Sequence, residues 1–206
     1  MRESFTYGTA GRAPRKRCLY LELDRVIYAG LRITHCNSSY MLAASQLHVI
    51  FLMKIINDFA KIADQFCSWT ESLQKSDEVD LGDLLIMLSS LLNKALLMPS
   101  PESYDLDEAT ESLTQKEWKA IHKKYTPIKF QYYREVFDPH NFDDDEPVTG
   151  DLHDDLADIY RDIKPGLVLF REGLINEAAF EWKFSFNSHW GEHILSALRA
   201  IYMFKR

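Results

Sequence analysis

One row of residues near the C-terminus limits the folds open to this chain more than any other feature. Ile175, Ala179, Trp182, Phe186, Trp190, His193, Ala197 and Ile201 succeed one another at spacings of three and four. Such spacings place side chains on a single face of an α-helix, whereas a strand alternates every two residues. The row predicts one helix from Ile175 to the C-terminus with its tryptophans turned into a core. Upstream the period recurs. Ile55, Phe59, Ile62, Phe66, Trp69 and Leu73 mark an amphipathic helix, and Leu81, Leu84, Leu88, Leu91 and Ala95 mark another behind Asp80, stopped by Pro99 and Pro101. The wide apolar face of the second suits a central place in a bundle. The expected fold class is all-α: a helical bundle of about five to six helices over residues 53–206, with a poorly packed N-terminal extension over residues 1–52.

Local signals fill in the rest. Thr114-Gln115-Lys116-Glu117 matches the capping box, in which the Thr hydroxyl and the Glu carboxylate satisfy each other's backbone N–H groups at a helix start. A helix through Trp118 and Ile121 comes next. "KFQYYREVFDP" reads as a helix or a strand, and the spacing of Phe130, Tyr133 and Phe137 favours the helix. Leu152, Leu156, Ile159, Tyr160 and Ile163 mark another helix, expected to kink or break at Pro165-Gly166, because an internal proline removes a hydrogen bond and crowds the preceding turn.

The 206 residues are 46% hydrophobic and 27% charged, enough to bury a core in one domain. A formal charge of −7 argues against a nucleic-acid binder, which needs clustered Lys and Arg. Cys18, Cys36 and Cys67 lack any C-x-x-C spacing and are expected to be free, reduced thiols. "MLAASQLHVIFLM", residues 41–53, falls short of the roughly 20 apolar residues a membrane helix needs and lacks signal-peptide features. A cytoplasmic protein without membrane partners is the expectation. Residues 1–52 carry +4 and residues 53–206 carry −11, so the basic extension differs in composition from the remainder of the chain, and Met53 is a candidate natural start. The rival reading, a basic targeting or RNA-contacting arm, suffers from a short Arg15-Lys16-Arg17 cluster without interleaved aromatics.

Chemistry concentrates in two places. His189 and His193 are four apart, which on a helix brings Cβ atoms about 5–6 Å from each other and lets two imidazoles hold one metal. The remaining ligands, or a general base, would come from Glu181, Glu192, Asp154, Asp155 or Asp158. The order His189-Trp190-Gly191-Glu192-His193 is not H-E-x-x-H, no Glu-x-x-His repeat of di-iron bundles occurs, and G-x-S-x-G and phosphate-binding glycine loops are absent. The competing account makes these core histidines bonded to Tyr160 or an acid. A divalent metal is an alternative, not the favoured expectation, and whether the chain is an enzyme stays open. The second place is the acidic stretch from Asp138 to Asp158, with nine acids and no Lys or Arg. It lacks the EF-hand pattern and reads as a solvated loop leading into a helix whose early Asp151, Asp154 and Asp155 suit the positive end of its dipole. With Tyr132, Tyr133, Phe137 and Phe142 beside Asp143, Asp144 and Asp145, it suits a basic protein partner, and the favoured function is an interaction module. Self-association is the other partner expectation.

"FAKIADQFCSW" (59–69), "YYREVFDP" (132–139), "DDLADIYRDIKPGL" (154–167) and "EWKFSFNSHWGEHILSALRAI" (181–201) resemble a bacterial family of domains of unknown function, DUF5063. The resemblance starts near Met53 and covers nearly all of the chain beyond it, more loosely from about Leu73 to Tyr125. It implies a small cytoplasmic bacterial protein and brings no activity, cofactor or site residue to these positions.

Overall fold

Five helices, the last interrupted by a π-helical turn, and one two-stranded hairpin make up the regular structure of the described residues. The computed structural model describes residues 38–99, 113–136, 138–143 and 146–206. The chain divides into two compact units, Met1–Gln46 and Leu47–Arg206. Of the first, only residues 38–46, which open a helix, fall within the described residues. Cys18 and Cys36 therefore lie outside them, whereas Cys67 is a buried free thiol, as its spacing predicts.

Helix α1 (Ser38–Ser72) buries Phe59, Ala63, Phe66 and Cys67, with Ile55, Ile62 and Trp69 packed partly buried against them. It begins well before Ile55, so the periodic row marks the part that meets the core and not the length of the helix. Its last turn carries no basic residue, and Lys124 supplies the missing cation from outside, donating Nζ to the Glu71 and Leu73 carbonyls at 2.7 and 3.2 Å. Helix α2 (Leu81–Leu97) buries Leu81, Leu84, Leu88, Leu91 and Ala95, the row that the sequence marks. Asp80 caps it by accepting from the Gly82 and Asp83 amides. Helix α3 (Gln115–Lys124) starts on the expected capping box at Thr114 and Glu117.

The next segment corrects an expectation. Tyr132–Glu135 is a strand, β1, paired antiparallel with β2 (Val148–Asp151), not a short helix. Burial alternates along it, Tyr133 and Glu135 half-buried and Tyr132 and Arg134 exposed, and adjacent aromatics favour such a half-buried pleated surface. The Tyr133 ring lies over Gly150, directly opposite, where a Cβ would come within 2.4 Å of it. The acidic stretch leads into helix α4 (Leu152–Arg171), capped by Asp151 with Asp154 and Asp155 in its first turn, as expected; it also contains β2, and Asp155 and Asp158 are buried rather than solvated.

Helix α4 runs through Pro165 without ending. Carbonyls in the turn before the proline receive donors from the following helix: Trp182 Nε1 donates to the Ile163 oxygen at 2.9 Å and Ser185 Oγ to that of Asp162 at 3.4 Å. These bonds tie the proline-containing turn to the following helix; the carbonyl that Pro165 leaves without its amide donor is that of Arg161. Gly173, at φ 86°, ends it with the paired Schellman bonds from the Leu174 amide to the Leu169 carbonyl and from the Gly173 amide to the Phe170 carbonyl. Helix α5 (Ile175–Ser185), a π turn (Phe186–Trp190) and helix α6 (Gly191–Lys205) complete the chain, with Trp182, Trp190, Ile194, Ala197 and Ile201 in the core. The predicted single helix is thus helical throughout but carries one wider turn. No helix among the described residues is long and apolar enough to cross a membrane.

Candidate metal centre

Helix α4 presents Asp155, Asp158 and Asp162 at spacings of three and four, one helical face, toward the π turn and the start of α6. The π turn holds His189, and α6 holds His193 in its first turn. Single π turns inside α-helices recur at functional sites, because the extra residue re-aims the side chains around it. Gly191 makes the turn sterically possible: a Cβ there would lie 2.4 Å from the Phe186 carbonyl oxygen.

The two imidazoles are oriented from behind. His193 Nδ1 lies 2.9 Å from Asp155 Oδ1, and His189 Nδ1 lies 2.7 Å from Asp162 Oδ2. A carboxylate is an acceptor, so each Nδ1 carries a proton toward it, and in the neutral ring Nε2 is the nitrogen with the free lone pair. The two Nε2 atoms face each other at 3.3 Å, and Asp158 Oδ2 is 3.5 Å from that of His193. If both rings are neutral, the two lone pairs repel at that separation, and a proton on one ring or a metal ion between them relieves the repulsion. Asp158, His189 and His193 each offer a ligand atom, all within 4.8 Å of one another.

Charge balance points the same way. Arg161 bridges Asp158 Oδ1 at 2.9 Å and Asp162 Oδ1 at 3.0 Å, and its Nη2 lies 3.1 and 3.4 Å from the two ring nitrogens of His189. One guanidinium faces three carboxylate side chains, so the cluster favours further positive charge, whether a proton on an imidazole or a metal ion. Trp118 Nε1 donates to Asp158 Oδ1 at 2.7 Å, and Tyr133 Oη donates to Asp155 Oδ2 at 2.5 Å. Burial raises the Asp155 carboxyl above the usual carboxylate range although the hydrogen bonds from His193 and Tyr133 oppose it. Burial works against the charged form of His193, but the Asp155 hydrogen bond and the charges of Asp155, Asp158 and Asp154 outweigh it and raise its pKa.

The other candidates from the sequence fall at different distances from this centre. Asp154 is half-buried beside it; burial, then the charges of Asp158 and Asp151, raise its pKa. Glu181, also half-buried and raised by burial, feels Asp162, and Glu192 is exposed and joins none of these contacts. Tyr160 bonds Glu71 at 2.8 Å, so the histidines take acids and not Tyr160 as partners. Tyr133, expected on a partner surface, turns inward to Asp155, while Tyr132 and Phe142 are exposed, as is Asp143. Phe137, Asp144 and Asp145 lie outside the described residues. Asp162, Arg161 and Trp118 are not evident from sequence as members of the site, although the α4 acids repeat at the same three-and-four spacing as the apolar rows. A surface hollow of about 590 Å³ bordered by Glu78, Lys129 and Lys205 shares no residue with the cluster.

A family model described as a domain of unknown function, DUF5063, matches residues 51–206. The chain is similar to the crystal structure of protein BF1032 from Bacteroides fragilis, with a TM-score of 0.60 and 25% sequence identity, the match covering 74% of this chain and 93% of that one. No curated protein matches it.

Proposed function

We propose, from the premise that the chain belongs to the DUF5063 family of unknown function, that it is a divalent-metal-binding helical protein with Asp158, His189 and His193 as the ligands. One observation carries the reading: both histidines turn Nε2 toward a common point while each Nδ1 rests on its own carboxylate. That carboxylate–histidine arrangement fixes the tautomer and the ring direction a metal requires. Bond lengths of about 2.0–2.1 Å in a tetrahedral zinc site give ligand separations of about 3.3–3.4 Å. The two separations of 3.3 and 3.5 Å are compatible with that edge. Two imidazoles and one carboxylate leave the fourth position to water or an anion, the composition of catalytic rather than structural zinc centres.

A second reading keeps the docking surface for a basic partner, supported by the exposure of Phe142 at 86%, of Tyr132 at 66% and of Asp143. It makes no use of the oriented histidines, which is why it stands second. Elemental analysis of untagged protein purified without chelator, beside a His189→Gln/His193→Gln double variant, separates the two. The expected result is about one equivalent of zinc-class metal fewer in a variant that remains helical than in the wild type. Folded wild type that, offered an excess, takes up no more divalent metal than the double variant overturns the metal reading and leaves the docking surface.

A further inference from the structure

A second group of metal-capable side chains gathers where α3, β2 and α4 meet. His122 lies in the last turn of α3, Asp151 at the end of β2 and His153 in the first turn of α4. Each offers one ligand atom, and the three atoms lie within 4.8 Å of one another.

What sets this group apart is His153. Its side chain is buried, with 7% exposure, and its Nε2 has no hydrogen-bond partner. Buried polar atoms without partners are uncommon in native proteins, because they give up hydration and receive nothing in return. The neighbours are already committed. Asp151 Oδ1 caps α4, accepting from the His153 and Asp154 amides at 2.9 and 3.3 Å, and Oδ2 accepts from Gln131 Nε2 at 2.8 Å. His122 Nε2 stands 3.9 Å from Asp151 Oδ2, beyond hydrogen-bond distance, and the His122 ring meets that of His153 edge-on at 5.8 Å between centroids. The carboxylate is thus held in place while the two imidazoles converge beside it without bonding it or each other.

We propose that His122, Asp151 and His153 form a second divalent-metal site, of the mixed nitrogen and oxygen chemistry that suits zinc. Its ligands come from three different elements, so an ion there ties α3 and the hairpin to the start of α4. Burial holds the pKa of His153 below the ordinary histidine range, with the charge of His122 acting in the same sense and that of Asp151 against it; the neutral imidazole is the form that ligates. The site stands close to the first centre through Trp118, whose ring lies tilted against that of His122 at 5.3 Å between centroids and which donates to Asp158. It does not depend on the first centre being a metal site.

The test is zinc titration against a competing chromophoric chelator, using the untagged full chain stripped of metal, as wild type, His122→Gln and His193→Gln. His122 is half-exposed, so its replacement leaves the core intact. The second site requires that His122→Gln weaken one bound equivalent by about tenfold or more and that His193→Gln retain that same equivalent. If the first centre fails as a metal site, His193→Gln has no effect and the His122 result still stands. Identical zinc uptake by wild type and His122→Gln overturns the second site. A measurement on unmutated protein guards against misfolding: zinc should shift the imidazole NMR resonances of His122 and His153, and their failure to move likewise overturns it.

Discussion

Gly166 has no room for a side chain. A Cβ there would lie 2.4 Å from Trp182 Nε1, the atom that donates to the Ile163 carbonyl. Ala in place of Gly inside a helix ordinarily stabilises by about 1 kcal/mol. At position 166 overpacking against a fully buried tryptophan reverses the sign, so Gly166→Ala should destabilise by roughly 1–3 kcal/mol in urea denaturation, with an altered Trp182 emission. A stabilised variant would show that Trp182 has freedom to move away. Single residues also mark where sequence reading stops. Trp182 and Trp190 are legible because apolar residues at helical period must face a core. Asp155, Asp158 and Asp162 use that same period, but acids in a row are equally compatible with a solvated face. Only the tertiary partner, here His189 and His193, decides between the two. The orphaned nitrogen of His153 leaves no trace in sequence at all, since it is defined by what fails to approach it.

Elements with local codes are readable, and elements made by pairing are not. Helix α3 has no fully buried residue of its own, so its start depends on the capping box, with the Glu117 amide donating to Thr114 Oγ1 at 3.3 Å and the Thr114 amide to Glu117 Oε2 at 2.9 Å. Thr114→Ala should cost about 1 kcal/mol of stability. Hydrogen exchange should accelerate in the first turn of α3 while α2 amides keep their protection; unchanged exchange in α3 would mean that Trp118 and its bond to Asp158 suffice to hold the helix. The hairpin lacks such a code. Tyr132–Glu135 becomes a strand only because Val148–Asp151 comes to lie beside it across an intervening segment, and a four-residue partner containing a glycine gives little warning. The π turn is similarly hidden: Phe186 and Trp190 keep a spacing of four whether or not a turn is widened between them.

At the scale of the whole molecule, α1 and α4 are joined by polar contacts between residues far apart in the chain. Glu71 accepts from Tyr160 Oη at 2.8 Å and pairs with Lys164, whose ammonium also lies 5.7 Å from the centre of the Tyr160 ring; Asp64 pairs with Arg171 further along the same two helices. Partial burial pushes the Glu71 carboxyl up, but the hydrogen bonds from Lys164 and Tyr160 outweigh it and bring its pKa below the ordinary glutamate value. A carboxyl with a depressed folded pKa binds fewer protons folded than unfolded over the interval between the two values. Its contribution is therefore complete above the unfolded pKa, about 4.3, and is lost as pH falls through the lower, folded one. With the Glu71 side chain 44% exposed, solvent screening keeps the magnitude near that of surface ion pairs, at most about 1 kcal/mol. Glu71→Gln should consequently be less stable than wild type at neutral pH, and the two denaturation midpoints should converge as the solution is acidified below the glutamate range. A gap that stays constant down to strongly acidic pH would assign the loss to the geometry of the Tyr160 hydrogen bond and not to the charge on Glu71.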